Sequence, residues 1–389
     1  MIYVHSLGRA ARYYSEQTAL FIDSTPITFR ELDSRVARIA GGLIKHGLRP
    51  GDRLAALLPN GSDFIQLVYA CGRIGLIIVP INTESSAAEI DRVLNDSTPR
   101  GLVQHPASAE PSTKVPWQLV LDGKPLDIGN GLPPEVFYNP EAILAMIYTS
   151  GTRGDAKGVM LTHANVFSNV NNLNYWMHYR ENGIYLHAAP MFHIADFPAL
   201  FGAAAAGSSQ LSLSHFSPGE FCEAVEKERV THTVLASRMF EMLAEFSDVK
   251  RFNLSSLEVI AYDGSPIAPA RVRTIKKLFP NVKLVQVYGL TETGFLTGLQ
   301  DHEHTIPSLA RSCGRPSPGI DVQVMDKSGV PVAFGQRGEL VARGPNVMLG
   351  YWNRPDNTAR SFRNGFFRTG DIGYQDEAGF FYIVGRAGG

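Results

Sequence analysis

Short apolar runs alternate with segments of helical spacing up to about residue 310. Near-continuous apolar strands joined by helices are typical of parallel sheets that are covered on both faces. The predicted strands are Arg53–Leu58, Leu76–Ile81, Gly101–His105, Ile143–Tyr148, Ile184–Ala189, Leu211–Ser214, Thr233–Ala236, Leu257–Ala261 and Leu284–Val287. The predicted helices run from the capping box Thr28/Glu31 to Gly47, and over Ser62–Ile74, Ser86–Leu94, Thr162–Trp176, Pro218–Glu228, Arg238–Phe246 and Pro269–Phe279.

The pattern changes after about residue 310, where short strands are separated by Gly, Pro, Asp and Asn turns. Asp321–Met325, Gly338–Ala342 and Phe380–Val384 are the predicted strands of this β-rich tail, which we expect to form a small barrel or sheet. Residues 106–140 are rich in proline and polar side chains, so we predict a loosely structured connection there.

Composition narrows the class of protein. The chain has 389 residues, 44% hydrophobic and 19% charged, with a formal net charge of -1. This indicates a folded globular protein and argues against a nucleic-acid partner, which needs a basic surplus. Its three dispersed cysteines favour neither a disulfide framework nor a zinc site. There is no signal-peptide pattern, and the longest apolar run, 197–207, is too short for a membrane span, so we expect a cytoplasmic protein.

The segment from Tyr148 to Gly158, YTSGTRGDAKG, follows an apolar strand and combines three glycines, four hydroxyl groups and Lys157. Glycines let backbone N–H groups approach an anion, and a lysine supplies positive charge, so the segment suits phosphate. The spacing is not that of a Walker A loop. A generic loop of this composition is more often an ordinary surface turn.

The order of residues in this segment resembles the phosphate-loop signature of adenylate-forming enzymes, the superfamily of acyl-CoA synthetases, adenylation domains and luciferases. The chain departs from the usual pattern at Arg153, where Thr is common, and at Ala156, where Pro is common. The resemblance implies that Lys157 is catalytic and that the loop contacts phosphate through Thr149, Ser150, Gly151, Thr152 and Gly154.

Three further segments resemble nucleotide motifs of the same family, in the same order. By resemblance, Tyr288 stacks on adenine beside Gly289, Thr291 contacts the α-phosphate and Glu292 binds Mg²⁺. Outside this context Glu292 reads as a helix-start carboxylate. By resemblance, Asp371 and Arg386 contact the ribose. The resemblance also implies that Gly264, Ser265 and Pro266 form the turn that borders the adenine and acyl sites. Alone, Asp371 and that turn read as ordinary turn residues.

The acyl pocket is predicted less specifically. His193 is expected at its mouth, with a catalytic or lining role, and its other predicted residues are Phe197, Ala236, Arg238, Tyr262, Gly264 and Leu296. This mixture of aromatic and small residues suits an aryl or medium-length acyl group. Arg238 either pairs with a second carboxylate of the substrate or is a solvated arginine at a helix start; the second interpretation is favoured.

The resemblance implies an α/β fold of two parallel-rich sheets sandwiched by helices, layered αβαβα, with a small β-barrel. The expected subdomains are 1–185, 186–310 and 311–385. The implied reaction joins a fatty or aryl acid to CoA through acyl-AMP, with ATP, Mg²⁺ and CoA, and without a nucleic-acid partner. The alternatives are an acyl-AMP ligase that loads a carrier protein and a non-catalytic adenylate-binding protein. A homodimer is compatible with the sequence.

The end of the chain suggests a hinge. Residues 385–389 resemble the start of the hinge that precedes a small C-terminal domain in the family, so we expect a large domain cut at this hinge, which binds nucleotide but adenylates slowly. Whether Glu84, Ser85, Gly388 and Gly389 are native is open from the sequence.

Overall fold

Several helices begin where the sequence supplies a side chain to cap the first turn. The predicted capping box is confirmed: the Thr28 side chain accepts a hydrogen bond from the Glu31 N–H, and the Glu31 side chain accepts one from the Thr28 N–H. Equivalent boxes stand before the helices that start at Ala87 and His163. The structure is a computed structural model that describes residues 2–22, 24–121, 126–129, 135–149, 156–263 and 267–387.

The first part of the chain builds helices around short buried strands. Its elements are α1 (Ile2–His5), α2 (Leu7–Tyr13), β1 (Thr18–Ile22), β2 (Thr25–Thr28), α3 (Phe29–Lys45), β3 (Arg53–Leu57), α4 (Ser62–Ile74), β4 (Ile77–Pro80), α5 (Ala87–Ser97), β5 (Gly101–Gln104) and β6 (Trp117–Val120).

The middle part alternates strands and helices. Its elements are β7 (Ile143–Tyr148), β8 (Gly158–Thr162), α6 (His163–Met177), β9 (Ile184–His187), α7 (Phe197–Ala205), β10 (Ser209–Ser212), α8 (Pro218–Glu228), β11 (His232–Ala236), α9 (Ser237–Glu245), β12 (Val259–Asp263) and α10 (Pro269–Leu278). A short 3₁₀ helix lies at Ser247–Arg251.

The last part is mostly strand. Its elements are β13 (Lys283–Leu290), β14 (Gly294–Leu299), β15 (Arg315–Pro316), β16 (Asp321–Met325), β17 (Gly338–Arg343), β18 (Gly350–Tyr351), α11 (Pro355–Ser361), β19 (Phe362–Arg363), β20 (Phe366–Gln375) and β21 (Phe381–Arg386). A second 3₁₀ helix lies at Asp301–Thr305.

The strands form three sheets. A nine-stranded sheet has the order β15-β14-β13-β12-β11-β9-β10-β1-β2, and its central pairs from β13 to β1 are parallel. A seven-stranded sheet has the order β18-β8-β7-β4-β3-β5-β6, and its pairs from β7 to β6 are parallel. The five strands β16, β17, β19, β20 and β21 make an antiparallel sheet.

Helices cover the two large sheets on both sides, as the layered α/β prediction requires. The largest apolar cluster joins α3 and α4 to α7, through buried residues such as Phe29, Phe64 and Phe201. A second cluster packs α8 and α10 on the outer face of the nine-stranded sheet, for example Phe221 and Ile275. The predicted fold class is confirmed by this arrangement and by the solved structures described below.

Three features of the sheets bear on the predicted organisation. Residues 106–140 contain a strand, β6, which pairs in parallel with β5. The predicted subdomain limits do not follow the sheets, because β1 and β2 join the later nine-stranded sheet and β18 joins the earlier seven-stranded one. The β-rich tail, predicted as a small barrel or sheet, pairs as an open sheet among the described residues.

Candidate nucleotide and acyl site

The predicted phosphate loop closes a hairpin between two antiparallel strands. Tyr148 at the end of β7 lies opposite Gly158 at the start of β8. The Thr149 N–H then donates to the Lys157 carbonyl oxygen at 3.1 Å, which places Lys157 at the base of the loop. Helix α6 follows only after β8, a strand that the sequence prediction missed. The predicted contacts Ser150, Gly151, Thr152 and Gly154 lie outside the described residues, as does Arg153.

The base of this hairpin is tied to a neighbouring helix. The Tyr148 hydroxyl donates to Asp96 Oδ2 at 2.7 Å, and Arg354 pairs with the other carboxylate oxygen of Asp96 at 3.1 Å. Burial, together with the hydrogen bond to Asp96, raises the pKa of Tyr148, so its hydroxyl keeps its proton as a donor. The start of the loop is therefore held in place by α5.

Lys157 and Glu292 meet the same tyrosine. The Tyr351 hydroxyl donates to Glu292 Oε1 at 2.7 Å, and the Lys157 ammonium lies 4.9 Å from the centre of the Tyr351 ring. Glu292 sits in the turn between β13 and β14 and not at the start of a helix. The end of the phosphate loop and the second predicted motif are thus neighbours in space.

Tyr288, Asp371 and Arg386 form a second group. The Tyr288 hydroxyl donates to Asp371 Oδ2 at 2.7 Å, and the Arg386 guanidinium pairs with Asp371 Oδ1 at 3.2 Å. Asp371 is buried within β20, so it is a strand residue and not a turn residue. Burial and the Asp371 carboxylate raise the pKa of Tyr288, which keeps the phenol protonated. The three residues predicted for adenine and ribose are therefore in contact.

The turn that joins β13 to β14 holds the two groups together. A β-bulge lies between Tyr288 and Gly289, and a Cβ atom on Gly289 would stand only 1.7 Å from the Gly294 carbonyl oxygen. Within the turn, the Leu290 N–H donates to the Thr293 hydroxyl at 3.1 Å, which leaves Thr291 half-buried at the tip. Tyr288 and Glu292 are held at the two ends of one short, rigid segment.

The predicted acyl-pocket residues, at the carboxyl ends of the nine-stranded sheet's central strands, are partly brought together. Strands β9 and β11 are parallel neighbours, so the segment that leaves β9 with His193 and the end of β11 at Ala236 emerge at one edge. His193 is exposed, and its Nδ1 accepts a hydrogen bond from the Ala195 N–H at 3.3 Å. Phe197 is fully buried at the start of α7.

The other predicted pocket residues are placed differently. Arg238 is exposed in the first turn of α9, as the favoured interpretation of a solvated arginine has it. Tyr262 is 1% exposed and packs on Phe240, with its hydroxyl 2.8 Å from His304 Nε2 on the outer helical layer. Leu296 belongs to the core of the antiparallel sheet. Gly264, Ser265 and Pro266 lie outside the described residues.

Asp196, which follows His193 closely in the sequence, belongs to a buried polar cluster. Its carboxylate lies 2.6 Å from His187 Nδ1 and accepts a hydrogen bond from the Tyr185 hydroxyl at 2.5 Å. His187 Nε2 in turn contacts Gln210 at 3.0 Å. Asp196 is therefore a structural residue beneath the pocket, and it does not pair with His193.

Asp263 is a residue at this edge that the sequence prediction passed over. It ends β12 opposite Ala236, and the alternation of the strand puts it on the same face as Ala261, which packs against α6 and α7. No hydrogen bond or ion pair joins its carboxyl group to the rest of the described chain. Burial, with the Asp196 charge nearby, raises the pKa of Asp263 to about 7.

The raised pKa of Asp263 predicts a stability effect with a defined pH window. The unfolded chain ionises this group near its ordinary pKa of 3.8 and the folded protein near 7, so folding loses stability as pH rises between these values. Asp263→Asn is expected to be more stable than wild type by about 1–3 kcal/mol at pH 8, with little difference at pH 4. Urea unfolding across this range measures it; the exposed Asp356→Asn serves as the control and is expected to show no such gain.

The described residues limit how a metal ion could be held. Within these ranges, no cluster of three or more His, Cys, Asp or Glu side chains could hold a metal ion by itself. Glu292 alone fits Mg²⁺ that is held mainly by phosphate oxygens, the arrangement in which this ion usually binds nucleotides.

No helix in the described part of the chain is long and apolar enough to span a bilayer.

Comparison with known proteins gives consistent results. The family model described as AMP-binding enzyme matches residues 7–352. The chain is 36% identical over 385 residues to a feruloyl-CoA synthase from Amycolatopsis sp, covering 97% of this chain and 77% of that protein. It is 29% identical over 401 residues to the fatty acid–[acyl-carrier-protein] ligase ScoC of Streptomyces coeruleorubidus, covering 97% and 75%. The N-terminal domain of FACL13 from Mycobacterium tuberculosis superposes with a TM-score of 0.90 at 28% identity, covering 99% of both chains.

Proposed function

The chain belongs to the family of AMP-binding enzymes, the adenylate-forming ligases that activate carboxylic acids with ATP and join them to coenzyme A, and we propose that its own substrate is an aromatic acid. The short segment 288–292 joins the group around Asp371 to the group around Glu292, and this arrangement supports the activity best. A nucleotide lying along this segment has its ribose at one end and its phosphates at the other.

Asp371 is suited to hold the ribose. Each of its carboxylate oxygens already has one partner, Tyr288 on one side and Arg386 on the other. A carboxylate offers about four acceptor positions, so two are left for the two ribose hydroxyl groups. Because Tyr288 donates its hydroxyl to Asp371, its ring is fixed in one orientation, and a fixed aromatic face can stack on a base.

The phosphate end carries the first half-reaction. The substrate carboxylate attacks the α-phosphorus of ATP, a C–O–P bond forms, and the bond to pyrophosphate breaks. Lys157 lowers the repulsion between the two anions, and the Thr291 hydroxyl is in the turn that faces the α-phosphate in our proposal. Glu292 would hold Mg²⁺ when ATP is bound, and the ion would supply positive charge for the leaving pyrophosphate. In the second half-reaction a thiol attacks the acyl carbon and AMP leaves.

The aromatic acid is proposed from two observations. The feruloyl-CoA synthase at 36% identity acts on an aromatic acid, as its name states. Ala236, at the carboxyl end of β11, is small and only half-buried, so its side chain does not obstruct a flat ring at the candidate pocket edge. A fatty acid is the alternative, and the similarity to ScoC favours a carrier-protein thiol as the alternative acceptor.

Binding of acyl-sulfamoyl-adenosines, stable mimics of acyl-AMP, tests the proposal by calorimetry. We expect the feruloyl analogue to bind at least about tenfold more tightly than the palmitoyl analogue, a difference of about 1.4 kcal/mol. Pyrophosphate release from ATP with each free acid is measured in parallel. Equal affinities, or a preference for palmitoyl, would contradict the aromatic assignment.

The same assay separates the remaining alternatives. Tight analogue binding without any pyrophosphate release would favour a non-catalytic binding protein. To identify the acceptor, CoA and a pantetheinylated carrier protein compete for the preformed adenylate, and CoA is expected to be consumed first. Preferential loading of the carrier protein would identify the chain as an acyl-AMP ligase that loads a carrier protein.

A further inference from the structure

We propose that Tyr351 is a positioning residue that holds the phosphate-loop lysine and the metal-binding carboxylate apart while fixing both. This inference rests on the proposed roles of Lys157 and Glu292. Tyr351 ends strand β18, outside the segments that the sequence predicts to contact the nucleotide. Its hydroxyl and its ring face are used by two different charged groups.

The hydrogen bond from Tyr351 to Glu292 determines which oxygen of the Glu292 carboxylate is free. The Tyr351 hydroxyl donates to Oε1 at 2.7 Å, so Oε2 is left for a metal ion. A phenol that donates to a ligating carboxylate orients it, and partners of this kind outside the metal ligands commonly change metal affinity strongly.

The contact to Lys157 is of another kind. The ammonium group lies 4.9 Å from the ring centre, within the range of a cation–π contact. Such a contact holds the cation without neutralising it. No ion pair joins Lys157 to Glu292 among the described residues. If these two opposite charges paired directly, each would be less available to phosphate or metal, and the intervening ring prevents this.

Tyr351 is itself held from both sides. Strand β18 pairs with β8, with Tyr351 opposite Val159, and the Trp352 N–H donates to the Gly158 carbonyl oxygen at 2.8 Å. On the other side, the Met348 N–H donates to the Glu292 carbonyl oxygen at 2.8 Å. The segment 348–352 therefore connects the end of the phosphate loop to the β13–β14 turn by backbone bonds, and the ring of Tyr351 fills the space between them.

Two substitutions separate the two contacts. Tyr351→Phe keeps the ring and removes the hydroxyl, whereas Tyr351→Leu removes both. We measure ATP affinity with and without Mg²⁺, and AMP affinity, by calorimetry. Tyr351→Phe is expected to reduce the gain in ATP affinity from Mg²⁺ by about tenfold, with AMP affinity unchanged. Tyr351→Leu is expected to weaken metal-free ATP binding as well, by about threefold.

The matched control is Tyr382→Phe, because the Tyr382 hydroxyl donates to the Asp376 carboxylate at 3.0 Å in the antiparallel sheet. It is expected to leave all three affinities unchanged. An unchanged Mg²⁺ dependence in Tyr351→Phe overturns the inference. If the wild-type protein does not bind AMP, the proposed function is contradicted instead. Failure of the inference and failure of the proposed function are therefore distinguishable.

A measurement that keeps both the ring and the hydroxyl group at position 351 covers the case in which a variant does not fold. Fluorotyrosine incorporated at position 351 gives a ¹⁹F resonance next to the hydroxyl. We expect this resonance to shift on addition of ATP with Mg²⁺ and to stay in place on addition of AMP alone. A resonance that does not respond to the metal–nucleotide complex also overturns the inference.

Discussion

Glu292→Gln is expected to slow pyrophosphate release at saturating ATP by about 10²- to 10³-fold, the usual cost of removing one electrostatic contact to a transition state. Glutamine has nearly the same shape and can still accept the Tyr351 hydroxyl bond through its amide oxygen. The change therefore removes the negative charge without removing the packing. Because Mg²⁺ binds anionic oxygen ligands, the loss of rate is expected in the metal-dependent step.

The effect of Glu292→Gln should be confined to the phosphate end of the site. AMP affinity, which depends on the group around Asp371, is expected to change less than about twofold, below about 0.5 kcal/mol. Glu258→Gln, at a surface pair with Arg180, is the control for loss of a carboxylate. Normal Mg²⁺ dependence and normal pyrophosphate release in Glu292→Gln would show that another group holds the metal.

Gly289→Ala is expected to destabilise the protein by at least about 3 kcal/mol, more than typical overpacking in a core. The added Cβ would lie 1.7 Å from the carbonyl oxygen and 2.7 Å from the carbonyl carbon of Gly294. Both atoms are backbone, so no side-chain rotation relieves the clash. The strands β13 and β14 would have to separate at the bulge, which moves Tyr288 and Glu292 at the same time.

Thermal and urea unfolding measure this effect, with AMP affinity as the second readout. Gly385→Ala is the matched control, because Gly385 also lies in an antiparallel strand but has no neighbouring atom within 4 Å of the added Cβ position. It is expected to change the free energy of unfolding by less than about 0.5 kcal/mol. Equal melting temperatures of the two variants would mean that β13 and β14 do not approach so closely.

Much of the fold follows from local sequence pattern. The bounds predicted for α4, α8, β7 and β16 agree with the structure, because apolar spacing and the residues at the ends of these elements specify them locally. The predicted family is also confirmed, since its motifs are short contiguous segments that a sequence displays directly.

Elements without a continuous apolar pattern were missed. Strand β20 includes Arg368, Gly370 and Asp371, and these residues interrupt the alternation that would identify a strand. Gly370 has a φ of +76°, a conformation that favours glycine, so the strand bends at the ribose motif. Its pairing with β17 and β21, and not its own composition, stabilises it.

For the predicted pocket, side-chain direction is the property that the sequence does not supply. Leu296 and Phe295 are adjacent in β14, yet Leu296 packs in the core of the antiparallel sheet and Phe295 packs on the α6 side. Tyr262 and Ala261 divide in the same way on β12. Successive strand residues point to opposite faces, and only the packing of helices on the sheet decides which face borders the pocket.

The sequence by itself determined the layered α/β fold and the family, and it predicted the nucleotide motifs, because each depends on residues close together in the chain. The tertiary structure decided which of these residues touch. Tyr351 is 59 positions from Glu292 and Tyr288 is 83 from Asp371, and both contacts depend on strand pairings between distant segments. No local pattern encodes such distances, since loop closure and sheet register are set by the whole fold.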